Sequence, residues 1–401
     1  MSSPRPFVRA PEQASVHPRI LAISPSKADR LFAPRRRVLM QSRRTFALWL
    51  FLLFVPIASA QVYKITDLGT LPTGTFSSAN GINNRGQVVG MANIQSPPFY
   101  GERAFLWTQN GGMQDLGTLP SEIPSDQQYF LSWANGVNDW GLVVGTSWHD
   151  LATNHAFIWS RPGGMVDLGT PPGVLEGSAG KSINLLGQVV GAGFDLVVGS
   201  GDGGIEDDPH AFLWTSAGGM QLLGNLPGGQ YSLAYGINNL GQVVGVAETT
   251  GACCIPIFDA FLWTSRDGMV DIGAWTAVAI NDLGQVVGSN YQPYFQPEDH
   301  AVLWTRNQGL RDLGTLPGGN QSSAAAINDF GWVVGWSTTA SSTSHAMLWL
   351  PHSRMWDLNH LIPANSGWVL NSATGINFWG QIVGSGTRNG KPHGFLLTPR
   401  F

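Results

Sequence analysis

Charge is scarce in this chain. Of 401 residues only 12% are Asp, Glu, Lys or Arg. The little charge present is acidic. Residues 1–60 hold 10 of the 22 basic residues and 2 of the 26 acidic ones, so 61–401 keeps 12 against 24, a formal net charge of −12. A protein that neutralises phosphates needs a basic stripe, so nucleic acid is excluded as a natural partner. Cysteine is nearly absent. The two present, Cys253 and Cys254, are neighbours. A vicinal disulfide, two thiols and an intermolecular bridge are all open, and none of them staples a fold. Catalytic signatures are missing too: there is no G-x-S-x-G elbow, and the Gly-rich "PGG" stretches at Pro227 and Pro317 are turns rather than phosphate cradles.

One apolar run stands out, and it is short. Residues 40–60 read "MQSRRTFALWLFLLFVPIASA". Arg43 and Arg44 precede eleven apolar residues, Ala47–Ile57, too few to span a bilayer comfortably. Ala58-Ser59-Ala60 then offers a cleavage site before Gln61. The pattern is that of a secretory signal peptide, with "SRRTF" also compatible with twin-arginine export. Residues 1–39 are Pro-rich, basic and aperiodic, which suggests disorder or a true start at Met40. The expected organisation is therefore 1–39 outside the fold, 40–60 a leader and 61–401 one exported domain, secreted, periplasmic or on the cell surface.

What the chain has in abundance is repetition. "GINNRGQVVG" from Gly81 returns as "GVNDWGLVVG" (Gly136), "SINLLGQVVG" (Ser182), "GINNLGQVVG" (Gly236), "AINDLGQVVG" (Ala279), "AINDFGWVVG" (Ala326) and "GINFWGQIVG" (Gly375). Between copies lie "HAFLW"-type and "DLG"-type runs. Each unit reads as four short strands, A to D: "SANGIN", "QVVGMA", "AFLWT" and "MQDLG". Four strands at a period of 40–50 residues is the pattern of a propeller blade. The D runs are out of phase. "YKITDLG" at Tyr63–Gly69 precedes the first A, and the last unit stops at C, "HGFLLTP". The expected fold is an all-β, seven-bladed β-propeller of four-stranded antiparallel blades, with the N-terminal strand completing the last blade. In the repeated turn, Asn83 is expected to bond its own backbone and Gly86 to supply a positive φ. Gly90 and its equivalents read as a bulge or a close approach between blades.

The units, "HAFLWT", "GGMxDLGTLPGG" and "GINxxGQVVG", resemble the HAF family of extracellular repeats, named for the His-Ala-Phe run. The resemblance covers 61–401 and implies a secreted bacterial protein; the family has no agreed activity, so no catalytic residues carry over. Arg103 and Asp259 depart from the pattern by replacing the His, and Leu397 by replacing the Trp. The closing strand is similar to that of WD40 propellers.

Function has to be sought where the copies differ. Five of the nine histidines occupy the "HA" position, and positions on separate blades cannot converge on one ion. A hydrogen bond inside each blade, to the "DLG" Asp, is the simpler expectation. Asp202, Glu206, Asp207 and Asp208 are the one candidate for calcium, but their spacing is not that of an EF-hand, and a solvated acidic insertion explains them as well. No other cofactor is expected. The inner A runs hold no Asp or Glu, which counts against glycoside hydrolysis at the axis, although Glu102, Glu298 and Asp299 are placed in loops that could reach inward. Aromatics cluster in or beside the B–C and D–A connections: Tyr100, Trp133, Trp148, Tyr231, Tyr291, Tyr294, Trp336 and Trp368. Tyr and Trp at such positions point to a glycan or protein ligand bound without catalysis by a monomer. A carbohydrate-active enzyme using loop carboxylates and a purely structural surface protein are the alternatives.

Overall fold

The structure, a computed structural model, describes residues 62–96, 99–120, 131–148, 153–174, 176–198, 205–249, 257–273, 275–290 and 299–400. The expected leader with Gln61, the cysteines Cys253 and Cys254, Asp202, Tyr291, Tyr294 and Glu298 lie outside them. Residues Gln61–Phe401 form one compact unit. Twenty-eight strands, β1 to β28 in chain order, make seven four-stranded sheets among the described residues. Six blades run in simple sequence order, at 77–115, 132–167, 177–222, 232–273, 276–312 and 322–357. The seventh joins both ends of the domain. β26 (Trp368–Ile376), β27 (Ile382–Arg388) and β28 (Lys391–Pro399) are completed on the outside by β1 (Tyr63–Asp67), which pairs antiparallel with β28 from Tyr63↔Pro399 to Asp67↔Phe395. The ring is closed as the repeat count requires. No helix among the described residues is long and apolar enough to cross a membrane.

Each A strand packs beside the A strand of the next blade, so the A strands form the inner wall. The core lies between blades. In strand C, Phe105, Phe157, Phe212, Phe261 and Phe395 are fully buried, with Val302 and Met347 in the other two blades. Burying such a side chain contributes about 1.5–3 kcal/mol, which seven blades repeat. In blade 1 Leu106 and Trp107 are buried beside Phe105, because each sheet is covered on both faces.

Two local devices set the inner wall. The first is the A–B turn. Asn83 Oδ1 accepts from the N–H groups of Arg85 and Gln87, both at 3.0 Å, and Gly86 follows at φ +73°. The second is a bulge. In all seven blades the A–B register skips one residue of strand A: between Ala79 and Gly81 in blade 1, between Ala134 and Gly136 in blade 2, and so on round the ring. The glycine of strand B sits opposite. A methyl group on Gly90 would overlap the carbonyl oxygen of Ser78, and the same holds at Gly145, Gly191, Gly245, Gly288, Gly335 and Gly384. The close approach expected at Gly90 is thus between two strands of one blade, not between blades. The bulge itself belongs to the neighbouring strand.

Candidate functional site

The motif residues build a structural network first. The Nδ2 of Asn83 donates to the carbonyl of Asn138 on the next blade at 2.8 Å. Asn138 does the same to Asn184, and the chain of bonds continues through Asn238, Asn281, Asn328 and Asn377 back to Asn83, at 2.8–3.2 Å. All seven asparagines are buried. One side chain therefore folds its own hairpin and ties it to the next.

The "HA" and "DLG" motifs meet at the opposite face. His155 Nδ1 lies 2.8 Å from Asp167 Oδ2, His300 2.8 Å from Asp312, His345 2.7 Å from Asp357, and His393 2.9 Å from Asp67. A carboxylate only accepts, so Nδ1 carries the proton. The other carboxylate oxygen takes the N–H two residues on, as Gly169 gives to Asp167 at 2.7 Å. A serine of the following blade finishes the junction. Ser132 Oγ donates to the Gly117 carbonyl at 2.7 Å and accepts the Ala104 N–H at 2.9 Å. In blade 5 the buried Trp275 takes the serine's place, its Nε1 bonded to the Ile272 carbonyl. Four of the five repeat histidines are paired with the aspartate expected of them.

The departures from this pairing are electrostatically informative. At Asp67, burial works to raise the carboxyl, but the Gly69 N–H, the Arg388 guanidinium at 2.7 Å and His393 together hold it below the usual carboxylate range. In blade 4 Asp259 stands where the His would be, opposite Asp271. Burial and then the Asp271 charge push Asp259 up, against a hydrogen bond from Thr249, and its Oδ1 is buried without a partner. In blade 1 burial pulls the Arg103 guanidinium down, and Asp115 opposes that. In blade 3 Leu222 replaces the aspartate opposite His210.

The residue that each bulge displaces lies on the innermost strand of its blade. These are Asn80, Asn135, Lys181, Tyr235, Val278, Ala325 and Thr374. Three of them reach along the wall to the next A strand: Asn80 to the Ala134 carbonyl at 2.9 Å, Asn135 to Gly180 at 2.7 Å, and Thr374 to Ala79 at 2.8 Å. None is acidic. Lys181 is the one cation of the set, its ammonium pulled down by burial, and burial pushes the Tyr235 hydroxyl up on the next blade. The signal that could have found this wall is the variable residue three places before each turn asparagine.

The six aromatics singled out in the sequence that lie among the described residues are spread over five blades, and most prove to be strand residues. Tyr100 lies inside β4 (Phe99–Thr108), because the B–C hairpin of blade 1 is longer than its repeat. Trp133, in β6 (Ser132–Val137), is half-buried, with its Nε1 2.5 Å from Glu102 Oε2 on the preceding blade. Glu102 is therefore a strand residue bound to an indole, not a free loop carboxylate. Trp148 ends β7 (Val143–Trp148), and its N–H bonds the Leu131 carbonyl. Tyr231 precedes β14 (Ser232–Ile237), and its carbonyl accepts the Glu248 N–H. Trp336 lies in β23 (Val333–Thr338) opposite Ser323. Trp368 starts β26 and packs edge-on to Phe395 and His393, with centroids 6.2 and 6.5 Å apart, so it is part of the closing blade's core. Glu206, Asp207 and Asp208 fall within β12 (Ile205–Thr215) rather than a loop. No group of three or more His, Cys, Asp or Glu side chains able to hold a metal occurs among the described residues. Asp299 Oδ1 is buried without a partner, and burial raises that carboxyl against the opposing effect of His300.

Several solved structures are similar to this chain at low identity. The β-propeller domain of the Trilobed protease from Pyrococcus furiosus is 8% identical, with a TM-score of 0.47, over 80% of this chain and 95% of that one. An acylaminoacyl peptidase from Pyrococcus horikoshii is 10% identical, with a TM-score of 0.48, over 81% of this chain and 49% of that one. A streptogramin B lyase is 12% identical, with a TM-score of 0.45, over 85% and 100%. None of these likenesses transfers an activity. No curated protein matches the sequence. A family model described as "Protein of unknown function (DUF3466)" matches residues 72–256, the first three blades and the inner half of the fourth.

Proposed function

We propose that the protein is an exported, non-catalytic binding propeller. It takes a glycan or protein ligand on the face where the D–A and B–C connections emerge. One observation carries the reading. On that face Asp67, Asp167, Asp312 and Asp357 are engaged by histidines and turn N–H groups, and Glu102 is engaged by an indole, while Trp133, Trp148, Tyr231 and Trp336 stay half-buried at or near strand ends. Carboxylates held this way already have their oxygens engaged within the fold. Stiff aromatic surfaces with polar tips suit sugar rings and apolar side chains. Tyr100, Tyr291 and Tyr294 belong to the same reading. The leader-like segment 40–60 and the HAF-type repeats support export.

The test is a screen of the purified protein against glycan arrays and cell-wall fractions. A ligand should emerge, and Trp148→Ala and Trp336→Ala should weaken it roughly tenfold or more, the loss expected of an interface aromatic. No binding anywhere, or binding indifferent to both substitutions, defeats the proposal. The unpartnered Asp299 favours a second reading, a carbohydrate-active enzyme with that carboxyl as general acid. Turnover of a polysaccharide abolished by Asp299→Asn would establish it.

A further inference from the structure

The face opposite the candidate site carries a different surface. Each A–B turn presents its third residue at the tip: Arg85, Trp140, Leu186, Leu240, Leu283, Phe330 and Trp379. Six of the seven are large and apolar. Trp140 is 68% exposed, Leu186 72%, Leu240 69% and Trp379 57%. Eleven large hydrophobic side chains are exposed among the described residues, and six of them, Leu185 and Leu283 included, sit on these turns. The turn does not ask for them. Its geometry comes from Asn83 and Gly86 and their equivalents, so the tip position is free for any soluble residue.

The tips are joined into a belt. Trp140 Nε1 donates to the Leu185 carbonyl of the next blade at 2.9 Å, and Trp379 Nε1 to Asn84 at 3.0 Å. Phe330 and Phe378 pack as tilted rings with centroids 4.8 Å apart, and Arg85 lies over the Trp140 ring at 5.8 Å. The indoles are thus tethered across blade boundaries and lose little freedom when covered. An aromatic offers ~150–250 Å². At these exposures the belt presents on the order of 700 Å², more than a monomer's largest patch of about 300–600 Å². It is close to the ~800 Å² that each partner gives to a standard interface.

We propose that this annulus is a homotypic interface, through which two copies of the chain pack face to face about a two-fold axis in its plane. Three features favour a second copy. The area matches what one side of a stable dimer provides. The shape is a ring of alternating tips and gaps, and a ring turned over meets its own outline, as an isologous contact requires. The charge is wrong for a lipid surface, which draws on Lys and Arg around an apolar patch. Arg85 is the only base at the tips and already covers Trp140, while Asp139, Asp282 and Asp329 stand behind the belt, bonded to neighbouring turn N–H groups.

Sedimentation equilibrium of the purified protein at micromolar concentrations tests this. The wild type should show a dimer mass. Leu186→Glu with Leu240→Glu, two exposed positions that no core residue depends on, should weaken association by roughly 100-fold or more, since like charges then face each other. The variant's melting temperature at low concentration should match that of the wild type. A wild type that is monomeric throughout overturns the proposal. So does a dimer that the double variant leaves intact. A monomer that binds zwitterionic or anionic vesicles through these leucines overturns it in favour of a membrane surface.

Discussion

The side-chain amide of Asn377 donates to the backbone carbonyl of Asn83 at 3.0 Å across 294 residues of sequence, and this bond completes a circle of seven. Its Oδ1 meanwhile accepts from Trp379 and Gln381 in its own turn. Asn377→Asp keeps the acceptor and removes the donor. It should lower stability by about 1–3 kcal/mol, the cost of leaving a buried carbonyl unmet. Urea denaturation reads this directly. An unchanged midpoint would mean that the cross-blade bond carries no weight.

Gly90 should tolerate no side chain. Gly90→Ala places a methyl group on the Ser78 carbonyl, and the two strands must part to admit it. A loss above about 3 kcal/mol, or no soluble protein, is expected, as for other overpacked cores. Gly112→Ala is the control, with φ +63° but open space around it, so about 1–2 kcal/mol should be lost. Thermal melts of the pair separate close packing from backbone strain.

The closing strand should be sensitive to acid. The Asp67 carboxyl sits below its ordinary value in the folded state, so its contribution is fully present above the unfolded value near 4 and is lost as pH falls through the folded one. Asp67→Asn should lower the melting temperature at neutral pH and flatten its decline in acid. Parallel curves for wild type and variant from pH 7 to pH 3 would refute this.

Asp259 has the opposite sign. Burial and Asp271 raise it, so its favourable contribution belongs to the protonated form and fades as pH rises through the raised value. Asp259→His would restore the pairing found in four other blades. It should add about 1 kcal/mol near neutrality, the usual yield of a repeat-consensus change, with the gain shrinking in acid. Differential scanning calorimetry at two pH values measures both.

The ring, its seven blades and its closing strand were legible in the sequence because a repeat declares its own period and phase. The His–Asp pairing was legible too, since both motifs recur at the ends of adjacent strands. The double duty of Asn83 was not. Repetition shows that a residue is needed, but not that its far side reaches another blade. Glu102 and Tyr100 were misplaced because blade 1 lengthens its B–C hairpin beyond the repeat, turning an expected loop into strand. The wall residues escaped notice because a bulge leaves no mark of its own in strict alternation. Only the glycine opposite records it.

That displaced residue has a practical consequence. Its neighbours and the facing glycine hold the backbone, so natural copies accept Asn, Lys, Tyr, Val, Ala and Thr there without altering the blade. Randomising Asn80, Asn135, Lys181, Tyr235, Val278, Ala325 and Thr374 together would give a library of seven positions, one on the innermost strand of each blade. Selection on such a library could install new binding chemistry while the scaffold stays constant.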